Sequence, residues 1–224
     1  MYNIDFSIFT KEYKTILNGI YITIFISIVS SFFAFLTGTV FVYFRTSPVK
    51  FASNLTNFVI ACIRNTPLLI IIYLFYKGLP TAGLVFSALT CGIIALSIYT
   101  GAYISDALLS GINAVPKEHI QAANALGLTR LQAFIEVVYP QALRYSIFIL
   151  GSQFMNLIKN SSLVSFIAVA DIFYVTYKGI ADSYRIYEYF ILAIAIYCTL
   201  TGFTLLLTNI LQKVYKIPTS EVKA

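Results

Sequence analysis

Five long apolar runs dominate this sequence, and they leave a chain of this kind very few ways to fold. The first, Ile16–Phe44, carries no charged residue. Residues 1–10 lack the basic start of a cleavable signal, and the run itself is too long for the apolar core of one. Leu55–Tyr76, interrupted by Arg64-Asn65-Thr66-Pro67, is the second. The third is Leu84–Leu109, the fourth Ala142–Lys159 and the fifth Tyr187–Leu211. A span of about 20 apolar residues crosses a bilayer as a helix. Inside lipid, only a helix or a closed barrel satisfies every backbone N–H and C=O. The expected fold is therefore an all-α membrane protein of about five transmembrane helices. An additional apolar piece, Leu163–Tyr174, is too short to cross.

Composition agrees. The 224 residues are 59% hydrophobic and 11% charged, with a mean hydropathy of +0.84, far from the roughly 25% charged residues of a soluble domain. Cys62, Cys91 and Cys198 lie in apolar runs without metal-ligand spacing and read as small hydrophobes. His119, the one histidine, leaves little for metal binding or histidine-based catalysis. No cofactor is expected. The net charge of +6 suits cytoplasmic loops and does not call for nucleic acid as a partner. No repeat or low-complexity linker divides the chain, so residues 1–224 read as one domain with a core of about 16–212.

Five crossings place the termini on opposite sides. One side then holds Arg45, Lys50, Lys117, Arg130, Arg144, Lys213, Lys216 and Lys223; the other holds Lys11, Lys14, Lys77, Lys178 and Arg185. The richer side is expected in the cytoplasm. That puts the N-terminus outside, the C-terminus inside and residues 111–141 in a cytoplasmic loop. Within this loop, Glu118–Leu126 reads as a short helix closed by Gly127. Thr129 and Gln132 then form the N-cap pattern of a second helix, expected to stop at Pro140. A polar helical hairpin between membrane spans suits docking to a partner outside the membrane, or alternatively lies on the lipid surface.

Polar residues within the spans point to a pathway. A charge at mid-membrane costs about 2.5–3.5 kcal/mol on insertion scales and so faces protein or water. Arg64, Asp106 and Lys159 qualify, either pairing with one another for packing or lining a cavity. Asp106 reads as the one acid within a span. Pro67 removes a backbone donor close to Arg64. Between the fourth span and the short apolar piece, helical continuity is expected to fail over Lys159–Ser165. There Asn160, Ser161, Ser162 and Ser165 offer hydrogen-bond donors and acceptors to a polar ligand, or else bond their own backbone. The 17 Tyr and 19 Phe are assigned to lipid, core or interfacial belts. There is no phosphate-binding Gly-Lys-Ser/Thr loop and no Ser-His-Asp arrangement, so catalytic residues are not expected.

Gln121-Ala122-Ala123, then Gly127, then Val137-x-Tyr139-Pro140 resembles the Glu-Ala-Ala loop of ATP-binding-cassette importer permeases, with Gln121, Val137 and Tyr139 departing from the usual Glu, Ile and Leu. Arg64–Leu69, Gly78-Leu79-Pro80, Ala102–Asp106, Gly111–Pro116, Pro140–Arg144 and Leu157–Ser165 follow the order seen in the polar amino acid uptake subfamily, over residues 16–212. The resemblance implies a multi-pass permease of the bacterial inner membrane. It also implies partners: ATPase subunits, an extracytoplasmic amino-acid-binding protein and a second permease subunit, identical or related, all within membrane lipid. Substrate would meet Arg64, Lys159, Asn160, Ser161, Ser162 and Ser165. Gln121, Ala122, Ala123, Gly127 and Pro140 would couple to the ATPase, whose closure rocks the paired permeases. Asn160 stands where members of the subfamily often have Asp, which favours glutamate, aspartate or glutamine over arginine or lysine. Two other classes compete: a secondary transporter, which would need mid-membrane coupling carboxylates, and a structural membrane anchor.

Overall fold

The computed structural model describes residues 5–215 and contains no strand among them. The cations Lys216 and Lys223, counted above for orientation, lie outside the described residues. Among the described residues nine α-helices follow in order: α1 (Ile8–Arg45), α2 (Lys50–Asn65), α3 (Leu68–Tyr73), α4 (Ala88–Asn113), α5 (Lys117–Ala125), α6 (Arg130–Gln132), α7 (Tyr139–Asn160), α8 (Ile172–Ser183) and α9 (Ile186–Val214). Four stretches are long and apolar enough to cross a membrane: Phe9–Arg45, Ala88–Asn113, Arg130–Ile167 and Ile186–Val214. A fifth is bent by 102° between Lys50–Asn65 and Leu68–Ala82. The bend falls where the sequence places Pro67. Thr66 and Pro67 are extended, because a residue preceding proline is pushed out of the helical region.

Helix α4 sits at the centre, with 56% of its apolar window buried against 6% for α9 at the rim. Two apolar clusters meet on it. One gathers Ile26 of α1, Leu68 and Ile72 of α3, Cys91 and Leu96 of α4, and Val164. The other gathers Ala34 and Val42 of α1, Ile104 and Leu108 of α4, and Leu150 and Leu157 of α7. Small residues bring α1 and α4 together: a Cβ at Gly38 would lie 2.5 Å from Ile104 Cγ2, and one at Gly101 2.8 Å from Thr37 Cβ. In lipid, where apolar surface alone drives little association, such close approach is what holds helices together.

Several sequence boundaries shift. The third span starts at Ala88 rather than Leu84, because the Ser87 side chain accepts from the Thr90 N–H. Pro140 does not stop a helix. The chain runs helically from Arg130 to Asn160, and the turn before the proline, Ala133–Val138, widens to π geometry. The widened π turn is what accommodates Pro140, whose ring and missing N–H would break the ladder of a regular α-helix interior. The Gln141 side chain donates to the Val137 carbonyl at 2.7 Å. Cys62 and Cys198 are exposed on the helix surfaces, and Cys91 alone of the three is buried.

Helical continuity, expected to fail over Lys159–Ser165, instead holds to Ile167 and breaks only at Ala168. Ser161–Ile167 is a 3-10 helix, Ala168 is left-handed, and Asp171 caps α8. The break is sealed by α1: the Ile172 N–H donates to Thr23 Oγ1 at 3.0 Å. Asp171 itself is fully buried, accepting from the Tyr174 N–H and from the Tyr197 hydroxyl at 3.2 Å. Glu188, at the start of α9, is also fully buried. Glu188 falls inside the fifth span, Ile186–Val214, so Asp106 is not the one acid within a span. Asp171 was hidden in the sequence by the apolar residues around it.

Replacing Gly101 by leucine inserts a branched side chain into the α1–α4 contact. Overpacking of this kind costs about 1–3 kcal/mol. The detergent-purified protein should unfold at lower temperature, read by intrinsic fluorescence, whereas Gly202→Leu, with open space at its Cβ, should not shift the transition.

Candidate functional site

Helices α4 and α7 enclose an open cavity of about 460 Å³, lined by Tyr99, Thr100, Tyr103, Gln153, Asn156, Lys159 and Asn160. Its size lies within the range of small-molecule sites. On α7 the lining comes from positions 153, 156, 159 and 160, spaced at i, i+3, i+6 and i+7, so polar side chains share one face of the second half of the helix. On α4, Tyr99 and Tyr103 stand one turn apart, their hydroxyls 3.3 Å from each other. Among the described residues no carboxylate lines the cavity. Lys159 is exposed and forms no ion pair among the described residues.

The cavity takes Lys159 and Asn160 from the residues expected at the substrate, and not the serines. Ser161 is fully buried and donates to the Ile158 carbonyl; Ser162 donates to Lys159 O and Ser165 to Ser162 O. Each hydroxyl is spent on its own tight 3-10 turn, where a carbonyl three residues back lies within reach. Arg64 stands beside the cavity. Its guanidinium lies 5.0 Å from the centroid of the Tyr103 ring, and it is ion-paired to Asp106, which also pairs with Arg45. The sequence alternatives for Arg64 and Asp106 thus coexist: they pair, and they do so next to the cavity. Tyr99, Thr100, Tyr103, Gln153 and Asn156 were missed. The Gln153/Asn156/Asn160 spacing was a readable signal; the tyrosines were lost among 17 of their kind.

A second feature lies where α4 and α7 converge on the short helix α5. Gly127 has φ +75°, its N–H bonds Asn124 O, and the Leu128 N–H bonds Ala123 O at 3.2 Å, which closes α5 in a Schellman turn. Thr129 and Gln132 form the expected capping box. Nδ1 of His119 and Oε1 of Gln141 are 2.7 Å apart, joining α5 to the start of α7. Arg130 donates to the Tyr43 carbonyl at 2.9 Å and lies over the Tyr43 ring, tying the loop to the end of α1. Gln121, Ala122, Gly127 and Pro140 are exposed. Ala123 is 2% exposed and faces into the chain, so its smallness serves internal packing and takes it off the outward face expected for it.

Residues 32–216 match the model of a family described as binding-protein-dependent transport system inner membrane component. The chain is 34% identical over 195 residues to GlnM of Bacillus subtilis (strain 168), described as a probable glutamine ABC transporter permease protein; the match spans 87% of this chain and 90% of that protein. It is 28% identical to the glutamate/aspartate import permease protein GltJ of Escherichia coli (strain K12), over 90% of this chain and 87% of the relative. Among solved structures, an amino acid ABC transporter crystallised with histidines superposes with a TM-score of 0.84 at 29% identity, covering 95% of this chain and 99% of that one.

At Gly127 a Cβ would meet nothing within 4 Å, so a substitution there acts through the backbone. Gly127→Val must hold a β-branched residue at positive φ, at a cost of about 1–2 kcal/mol. The turn closing α5 should open, and reconstituted transport should fall. Asn, which tolerates that conformation, should retain most of it. Equal loss in both variants would place the effect in the side chain rather than in the turn.

Proposed function

This chain belongs to the family of binding-protein-dependent transport system inner membrane components, and on that premise we propose that it lines the path by which a polar amino acid crosses the inner membrane. It is a permease subunit of an ABC importer, and its working partner hydrolyses ATP. The chain itself contributes no catalytic group; it works beside an extracytoplasmic binding protein and a second permease subunit. Residues 1–224 act as one permease domain, a reading supported by the two apolar clusters that both draw on α1 and α4.

The substrate is glutamine, glutamate or aspartate rather than arginine or lysine. One observation carries this: the cavity between α4 and α7 presents amides, hydroxyls and Lys159, and no carboxylate. A cationic side chain entering it would leave water with no anion to meet, and Lys159 would repel it. An amide or carboxylate side chain finds donors in Gln153, Asn156, Asn160 and Lys159. Of the residues first expected at the substrate, Lys159 and Asn160 touch it and Arg64 stands behind Tyr103, while Ser161, Ser162 and Ser165 shape the turn that ends α7.

The end of the bundle that holds α5 faces the cytoplasm. Contacts support the grouping of charges used for this orientation. Asp5 N–H donates to Glu188 Oε1 and Tyr189 OH to Glu12 Oε2, so the starts of α1 and α9 share one end. Arg130 reaches Tyr43, and Arg144 lies over the Tyr215 ring, at the other. Gln121, Ala122, Gly127 and Pro140 then face the ATPase.

Competition of labelled glutamine uptake tests the substrate reading. Unlabelled glutamine or glutamate should compete best and arginine poorly. Asn160→Asp should raise competition by arginine roughly ten-fold, the worth of one charge-assisted hydrogen bond. Arginine competing best in the native protein would overturn the charge argument. For orientation, a cysteine at Asn124 in a background without Cys62, Cys91 and Cys198 should react only with a membrane-permeant maleimide. Labelling by an impermeant reagent from outside would overturn both the topology and the coupling role.

A further inference from the structure

Asp106 holds two arginines with one carboxylate: Arg45 Nη1 meets Oδ1 and Arg64 Nη1 meets Oδ2. The two are held very differently. The Arg45 side chain is 14% exposed. Its Nε donates to Asn57 Oδ1 at 2.8 Å, its Nη1 reaches Ser105 Oγ at 3.4 Å, and its carbonyl accepts from Ser53 Oγ at 2.7 Å. Arg64 is 43% exposed. Beyond Asp106, its guanidinium has the face of the Tyr103 ring, and its carbonyl receives a long 3.5 Å hydrogen bond from the Tyr103 hydroxyl. Two cations on one anion leave a surplus positive charge, and the looser, more accessible cation carries it toward the cavity that Tyr103 lines.

Every amino acid brings an α-carboxylate, whatever its side chain, and a guanidinium fork is the best protein partner for one. Breaking a partly buried ion pair is costly when it strands a charge. Here it would not. Arg45 stays on Asp106, so Arg64 can leave without exposing the acid. A second cation on the same carboxylate therefore makes the exchange cheap, a role that simple helix packing gives no reason for.

We propose that Asp106 is an internal competitor for Arg64: it holds Arg64 while the cavity is empty, and the substrate's α-carboxylate takes Arg64 from it on binding. Arg64 thereby reads the carboxylate, and Asp106 is a positioning residue. Arg64 is the penultimate residue of α2, two positions before Thr66 at the Thr66–Pro67 break, so the exchange also loosens α2 from α4 at the hinge of the bent span. Substrate occupancy is thus felt where that span bends. The inference rests on the cavity between α4 and α7 being the substrate site.

The test uses the purified permease–ATPase complex without the binding protein, so that affinity belongs to the permease. L-Glutamine and L-glutamate binding is measured by equilibrium dialysis, and ATP-driven uptake after reconstitution. Arg64→Gln should weaken binding roughly ten-fold. Asp106→Asn should do the opposite, tightening binding several-fold while maximal uptake falls, because the competitor is gone and the tie no longer re-forms. Asp106→Glu, which keeps the anion, should restore uptake. The α-carboxamide of glutamine, a cation that lacks the carboxylate, should not share the tightening: Asp106→Asn, which removes an anion near the cavity, should bind it no better than the native complex does. A purely architectural Asp106 would lower affinity and rate together, and that result overturns the exchange. If Gln153→Ala and Asn160→Asp alter binding while Arg64→Gln and Asp106→Asn do not, the cavity stands and the exchange alone fails. If none of the four alters binding, the cavity assignment fails first.

Discussion

A peptide group released from a helix within a bilayer has no water to turn to, so protein must cover every break in a membrane-spanning helix. This constraint explains where the unusual features of the chain lie. The break at Thr66–Pro67 lies beside Arg64, Asp106 and Tyr103. The break after Ile167 is met by Thr23 from α1 and capped by Asp171. The wide turn before Pro140 is supported by the Gln141 side chain, which also reaches His119. Each irregularity is thus paired with a polar side chain from its own or a neighbouring helix, and two of the three border the cavity or the α5 loop.

The two helices that enclose the cavity are the same two that carry α5. Helix α4 passes from Tyr99 through Asp106 to Asn113, four residues before α5 begins; α7 passes from Pro140 and Gln141 up to Gln153 and Asn160. They are fastened to each other by the Ser146 hydroxyl on the Ala107 carbonyl, 2.8 Å. A movement of α5 therefore has a short, stiff route to the cavity wall. Such a route suits the coupling role proposed for α5, whose C-terminal end is closed by a Schellman turn and followed by a capping box.

Charge is spread sparingly inside the bundle. Asp106 neutralises one of two arginines, Lys159 meets the cavity without a partner acid among the described residues, and the remaining lining is amide and hydroxyl. The described lining of the cavity thus carries one cation and no carboxylate, and on the substrate reading proposed above its field would disfavour a cationic side chain.

Hydropathy and turn chemistry were enough to read the class of fold, the order of the spans, and the α5 loop down to Gly127 and the Thr129 cap, but not the span ends: the fourth begins twelve residues before its expected start at Ala142. These depend on local rules: an apolar run long enough to cross, a glycine at positive φ, a side chain bonding a backbone three residues away. The continuation through Pro140 was not legible, since a π-turn and the Gln141 bond are needed to accommodate the proline. The cavity was half legible. Lys159 and Asn160 were found, whereas Ser161, Ser162 and Ser165 turned inward to bond their own 3-10 turn, and Tyr99, Tyr103, Gln153 and Asn156 came from positions whose shared face exists only once α4 and α7 are packed. Asp106 could be recognised from sequence as a charge needing a partner. That it has two, one fixed and one loose, follows only from the crossing of α1, α2 and α4, because pairing between distant segments is decided by the packing of helices and not by the spacing of residues along the chain.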